Sequence, residues 1–75
     1  MNKEVIFPIG AEVLLNEDGT RFLGSPPFHV VSHMPNQRIN KGVGRPETGG
    51  MVISNSNGDQ TGIPYSWCRP RLKLA

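Results

Sequence analysis

The chain predicts an all-β domain, a single small barrel of five strands, on three observations. Nine glycines and seven prolines in 75 residues leave no window of helical length free of both. The apolar run Met51-Val52-Ile53 leads into Asn57-Gly58, two residues tolerant of positive φ, as the type I′ turn of a tight hairpin requires. Near the C-terminus Leu72 and Leu74 alternate with Arg71 and Lys73, the period of a half-buried strand. A chain of this length makes one domain and buries only about 60% of its unfolded surface, so its stability is marginal. With hydrophobic residues at 36%, wholesale disorder is excluded.

The elements follow in order. Residues 1–9 are apolar with Pro8 inside the run, which predicts an N-terminal arm or an edge strand; residues 10–75 form the barrel. A strand starts at Gly10, runs through Ala11-Glu12-Val13-Leu14-Leu15 and ends at the turn sequence Asn16-Glu17-Asp18-Gly19. Thr20–Leu23 is a candidate short return strand, and Gly24-Ser25-Pro26-Pro27 breaks regular structure. Phe28–His33 is the next strand, closed by Met34-Pro35. Residues 36–50 are polar, rich in glycine and predicted as a long loop, with room for a short strand near Ile39.

For the last hairpin, facing Ser56 against Asp59 pairs Val52 with Ile63, Ile53 with Gly62 and Ser54 with Thr61. That register turns Met51 and Ile53 outward as an apolar patch, either an oligomer or partner surface or one covered by a bulge or the N-terminal arm. Pro64-Tyr65-Ser66-Trp67-Cys68 is too short for an α-helix and suits a 3₁₀ turn. In the strand that follows, Leu72 and Leu74 face inward while Arg69, Arg71 and Lys73 share the outer face about 6.6 Å apart, a spacing that calls for solvent or an anion.

Charge is unevenly divided. Residues 1–20 carry Lys3 against Glu4, Glu12, Glu17 and Asp18, a net of −3, whereas residues 21–75 carry seven Arg or Lys against Glu47 and Asp59, a net of +5. The second half therefore favours an anionic partner, against the alternative of a basic surface that only keeps the protein soluble. The lone Cys68 permits no intrachain disulfide and no cysteine cage for a metal. The N-terminal apolar stretch is too short for a signal peptide and no segment is long enough to span a membrane, which predicts a cytoplasmic protein.

Strands separated by a long first loop, a long second loop and a tight third hairpin, with a 3₁₀ turn before the last strand, resemble the SH3-like small barrel over residues 10–74. The most specific likeness is Gly62-Ile63-Pro64-Tyr65-Ser66-Trp67-Cys68, which resembles the Gly…Ile-Pro-x-Asn-Tyr-Val segment of SH3 domains. The resemblance places Trp67 where those domains have a groove-lining tyrosine, and Pro64 at their groove proline. No Ala-Leu-Tyr-Asp-Tyr motif precedes Asn16, and no tryptophan pair stands near Met51-Val52. The resemblance therefore implies the fold rather than a groove for proline-rich peptides. The type II dihydrofolate reductases are similar in architecture and in the layout of a hairpin followed by Ile63-Pro64-Tyr65. Their Val-Gln-Ile-Tyr-Pro pore motif is absent, so a reductase is a minor alternative to which no residue is assigned.

Candidate sites favour binding over catalysis. His29 and His33, on one strand, lie on the same face about 13 Å apart, too far to share a metal ion. Ser66 lacks a Gly-x-Ser-x-Gly context and Gly42-Val43-Gly44-Arg45 is too short to cradle a phosphate. No catalytic residue, metal or cofactor is predicted. The expected function is a binding module for nucleic acid, DNA or RNA. Arg69, Arg71 and Lys73 on the last strand and Arg38, Lys41 and Arg45 on the long loop would meet phosphates. Tyr65 and Trp67 would offer a stacking surface, unless Trp67 packs in the core. The alternative is a protein-interaction module or homo-oligomer built on Met51 and Ile53, acting as a regulator or inhibitor of a host protein.

Overall fold

A computed structural model describes residues 3–24, 26–40 and 45–70, with side chains described from Val5 onward. It is all-β, with five antiparallel strands in one sheet ordered β4-β3-β2-β1-β5. The strands are β1 (Glu12–Leu15), β2 (Phe28–Ile39), β3 (Glu47–Ser54), β4 (Gln60–Pro64) and β5 (Cys68–Pro70). A 3₁₀ turn over Tyr65–Trp67 joins β4 to β5, as its sequence predicts. Residues 71–75 lie outside the described residues, so the inward placement expected for Leu72 and Leu74 is not described. Short helices, α1 (Lys3–Ile6) and α2 (Glu17–Leu23), accompany the sheet.

The N-terminal segment is helical over Lys3–Ile6 rather than an edge strand. The chain then turns inward: Phe7 is buried in the core, and Gly10, at φ +87°, donates to the Val30 carbonyl at 2.8 Å. The expected return strand at residues 20–23 is also corrected. Asn16-Glu17-Asp18-Gly19 starts a helix: the Asn16 side chain accepts from the Gly19 amide at 2.9 Å, and Glu17 and Asp18 occupy the positive first turn. Space within that turn is tight: a Cβ at position 19 would stand 3.0 Å from Leu15 Cβ, so Leu15 would have to give way by a few tenths of an ångström. Leu23 drives its side chain into the core, and the chain returns through a cis Pro26–Pro27 peptide bond.

The register of the β3–β4 hairpin differs by one residue from the expected one. Met51 pairs with Ile63, Val52 with Gly62, Ile53 with Thr61 and Ser54 with Gln60. The loop holds three residues, Ser56-Asn57-Gly58, and only Gly58 takes a positive φ, at +85°. Asn55 sets this closure. Its Oδ1 accepts from the amides of Asn57 and Asp59 at 3.0 and 2.9 Å, and its Nδ2 donates to the Leu23 carbonyl at 2.6 Å. A one-residue slip moves every side chain to the other face. Met51, Ile53 and Ile63 consequently all point into the core at 0% exposure. Each such burial stabilises by about 1.5–3 kcal/mol, enough to select this register over the slipped one.

Strand β2 is longer than its sequence suggested, because it passes through Pro35 by means of a bulge. Met34 pairs with Gly50 and Arg38 with Thr48, so three residues of β2 (Pro35, Asn36, Gln37) stand opposite Gly49 alone. Gly49 takes φ +97° there. A second irregularity at Val31 reverses the alternation: Val30 pairs with Ile53 and His33 with Met51, both on the core side, while His29 faces the other way. The two histidines therefore lie on opposite faces, not on one. Away from the core, Gly50 and Gly62 leave room for Ile39 and Met34, whose tips occupy the space their side chains would fill.

Candidate nucleic-acid interface

The expected cationic set divides between two places. Arg69 is exposed on β5 and pairs with Leu14 of β1, which in turn pairs only with the first residues of β2, Phe28 and His29. Arg38 is exposed at the far end of β2, opposite Thr48, and Arg45 is exposed just before β3. Lys41, Arg71 and Lys73 lie outside the described residues, so the full C-terminal stripe is not described.

The expected aromatic surface is corrected in part. Trp67 is 7% exposed and belongs to the core, its indole stacked on Phe22 at 5.8 Å with planes 21° apart. A base cannot reach it while Phe22 covers it. Tyr65 is half-buried, stacked on Phe7 at 6.3 Å, and its hydroxyl lies 2.8 Å from His33 Nδ1. His33 Nε2 lies 2.7 Å from the Phe7 carbonyl, which only accepts, so Nε2 carries a proton. In the neutral ring Nδ1 then accepts from the Tyr65 hydroxyl. His33 thus fastens the N-terminal arm and the 3₁₀ turn to β2. Beside it an open depression of about 550 Å³ is lined by Pro8, Ile9, Ser32 and His33.

Met51 and Ile53 are corrected outright. Both are fully buried, so they form no exposed patch. The exposed large apolar side chains among the described residues are Val5, Ile9, Leu14 and Phe22. No group of three or more His, Cys, Asp or Glu among the described residues is arranged to hold a metal ion. Cys68 is buried with its thiol 3.5 Å from the Pro64 carbonyl. No helix among the described residues is long and apolar enough to cross a membrane.

What the structure assembles is a two-stranded ribbon. The pairing of β4 with β3 ends at Gly50 and Pro64, and that of β1 with β2 at His29. Beyond Gly50, the ladder of β2 and β3 continues alone among the described residues, through Arg38–Thr48 and Ile39–Glu47. Asn36, Gln37, Arg38 and Thr48 are all exposed on it, and Arg45 is exposed in the connection that leads into β3. Its one carboxylate, Glu47, accepts the Ser66 hydroxyl at 2.7 Å, which braces the ribbon's base against the 3₁₀ turn. Sequence reasoning placed Arg38 on a loop, where the structure has β2, and passed over Asn36 and Gln37; Arg45 does lie in the connection before β3. The signal that finds them is Pro35 within an otherwise strand-like run, the mark of a bulge. No family model, curated protein or solved structure matches the chain.

Proposed function

We propose that the chain is a small non-catalytic binding module that contacts nucleic acid through the cationic end of the β2–β3 ribbon. The observation that carries this reading is the placement of two exposed cations, Arg38 on β2 and Arg45 in the connection just before β3, at the end of the β2–β3 ladder, which no third strand flanks among the described residues. Their guanidinium groups match phosphate oxygens in charge and in paired hydrogen-bond geometry. The net +5 of residues 21–75 adds a longer-range attraction to the same partner. Strand order and the 3₁₀ turn before β5 support an SH3-like barrel as the scaffold.

The test is the salt dependence of binding to short DNA and RNA, compared for the native chain and for a variant with Arg38→Ala and Arg45→Ala. Each phosphate contact removed lowers the slope of log K against log salt by about 0.7–0.9. The expected result is a shallower slope by about 1.4–1.8 in the double variant, with Arg69→Ala changing affinity less. Equal losses from Arg69→Ala and from the ribbon variant would move the contact off the ribbon, and unchanged binding in both would remove it from these cations.

A protein partner or self-association is the second reading, and it now rests on different residues. Val5 and Ile9 are 75% and 69% exposed, and Ile9 lines the depression beside His33. Ile9→Glu should lower the sedimentation coefficient of a self-associating protein. A native chain that already sediments as a monomer counts against self-association.

A further inference from the structure

The nucleic-acid reading leaves open which form of nucleic acid the ribbon meets, and the shape and composition of the ribbon answer that question. Proteins that hold single strands without sequence preference stack bases on exposed aromatic rings. Between residues 34 and 50 the chain has no aromatic residue at all. Of the five elsewhere, Phe7, Phe28 and Trp67 are buried. Tyr65 is held by His33 and stacked on Phe7, and Phe22, which is exposed over Trp67, belongs to α2 and not to the ribbon. The ribbon therefore offers charge and polar groups, with no stacking platform.

Its shape fits a groove. Two paired strands lie about 4.8 Å apart, and the major groove of B-form DNA, about 12 Å wide, admits a two-stranded ribbon. The major groove of an A-form RNA helix is deep and narrow and does not. The side chains suit base edges. Asn and Gln can pair with the two major-groove positions of adenine, and Arg with those of guanine. Here Asn36, Gln37 and Arg38 are consecutive and exposed, and the first two stand in a bulge where β2 spends three residues against one of β3. A bulge of this kind releases residues from the ladder and redirects their side chains.

We infer that the partner is duplex DNA and that the bulged segment Asn36-Gln37-Arg38 enters its major groove, with Arg45 on the phosphate backbone. This inference rests on the proposed nucleic-acid function. The experiment is fluorescence anisotropy of the intact chain with a labelled mixed-sequence DNA duplex, the RNA duplex of the same sequence, and the single DNA strand. Competition follows with methyl green, which occupies the major groove, and with distamycin, which occupies the minor groove.

The expected result is duplex DNA bound at least about tenfold more tightly than either alternative, a difference of about 1.4 kcal/mol. Methyl green should displace the protein and distamycin should not. The variant with Asn36→Ala and Gln37→Ala, both changes at exposed positions, should keep the native salt slope. It should also lose the native chain's discrimination among duplexes of different sequence. Equal or tighter binding to the single strand or to RNA overturns duplex DNA as the partner while leaving a nucleic-acid function standing. Displacement by distamycin alone overturns the major groove. Unaltered sequence discrimination in the variant overturns the bulge as the reading segment. Absence of binding to all three nucleic acids overturns the proposed function itself.

Discussion

Gly50 and Gly62 stand on paired strands, and a methyl group on either would meet a neighbour of a different kind. At Gly50 it would collide with the Ile63 carbonyl oxygen, a backbone atom fixed by the sheet, and with Ile39 Cδ1. At Gly62 it would meet only the terminal methyl of Met34, the most adaptable end of a flexible side chain. Gly50→Ala should therefore cost about 2–3 kcal/mol by forcing the backbone, and Gly62→Ala about 1 kcal/mol or less. Urea unfolding followed by Trp67 fluorescence measures both. Equal losses would mean that Met34 is held as firmly as a strand.

At the scale of elements, Asn55 joins two parts of the fold that are distant in sequence. It closes the β3–β4 loop through Oδ1 and caps the end of α2 at the Leu23 carbonyl through Nδ2. Asn55→Ala removes these three bonds and a longer, exposed one from Nδ2 to Asp59 Oδ2 at 3.4 Å, and should destabilise by about 2–4 kcal/mol, at about 1 kcal/mol for each hydrogen bond lost. Amide hydrogen exchange should accelerate in α2 as well as in the hairpin. Acceleration in the hairpin alone would show that α2 does not depend on this bond. The same residue explains why the hairpin register was not legible. Asn57-Gly58 is the stronger local turn signal, but the side chain of Asn55 selects a three-residue loop, and the burial of Met51 and Ile53 rewards it. In α2, the sequence Asn16-Glu17-Asp18-Gly19 serves a turn and a helix cap equally well. The choice is made by the packing of Leu15 on Gly19 and of Leu23 in the core. The strand positions of Val13, Phe28, Val30 and Ile63 and the 3₁₀ turn at Tyr65–Trp67 were readable because their local pattern and their burial agree. For the candidate interface, the cations were visible as residue types. Their separation into a ribbon and an edge strand depends on pairings between strands far apart in sequence.

Across the whole molecule, the core gathers Phe7 from the N-terminal arm, Leu23 from α2, and Trp67 and Cys68 from the C-terminal end. Trp67 is therefore a probe of the fold rather than of the ligand. Its emission should shift to longer wavelength on unfolding in urea and should stay fixed when nucleic acid is added. A titration that quenches it while the chain remains folded would place it at the interface. Charge also acts at this scale. Anion attraction from the whole of residues 21–75 should raise the association rate at low salt, and the rate should fall steeply as salt is added.

The position of Cys68 has a kinetic consequence. Its thiol is the only one in the chain, and it is buried against the Pro64 carbonyl at the first residue of β5, the strand at one end of the sheet order. A thiol reagent such as a disulfide dye can react only after that end opens. The labelling rate in native buffer then works as a clock: with reagent in excess it levels off at the opening rate of the C-terminal end, and at low reagent it reports the free energy of that opening. If that free energy equals the one from urea unfolding, β5 leaves only when the whole domain does. If it is smaller, the C-terminal end is a separate, earlier-opening unit.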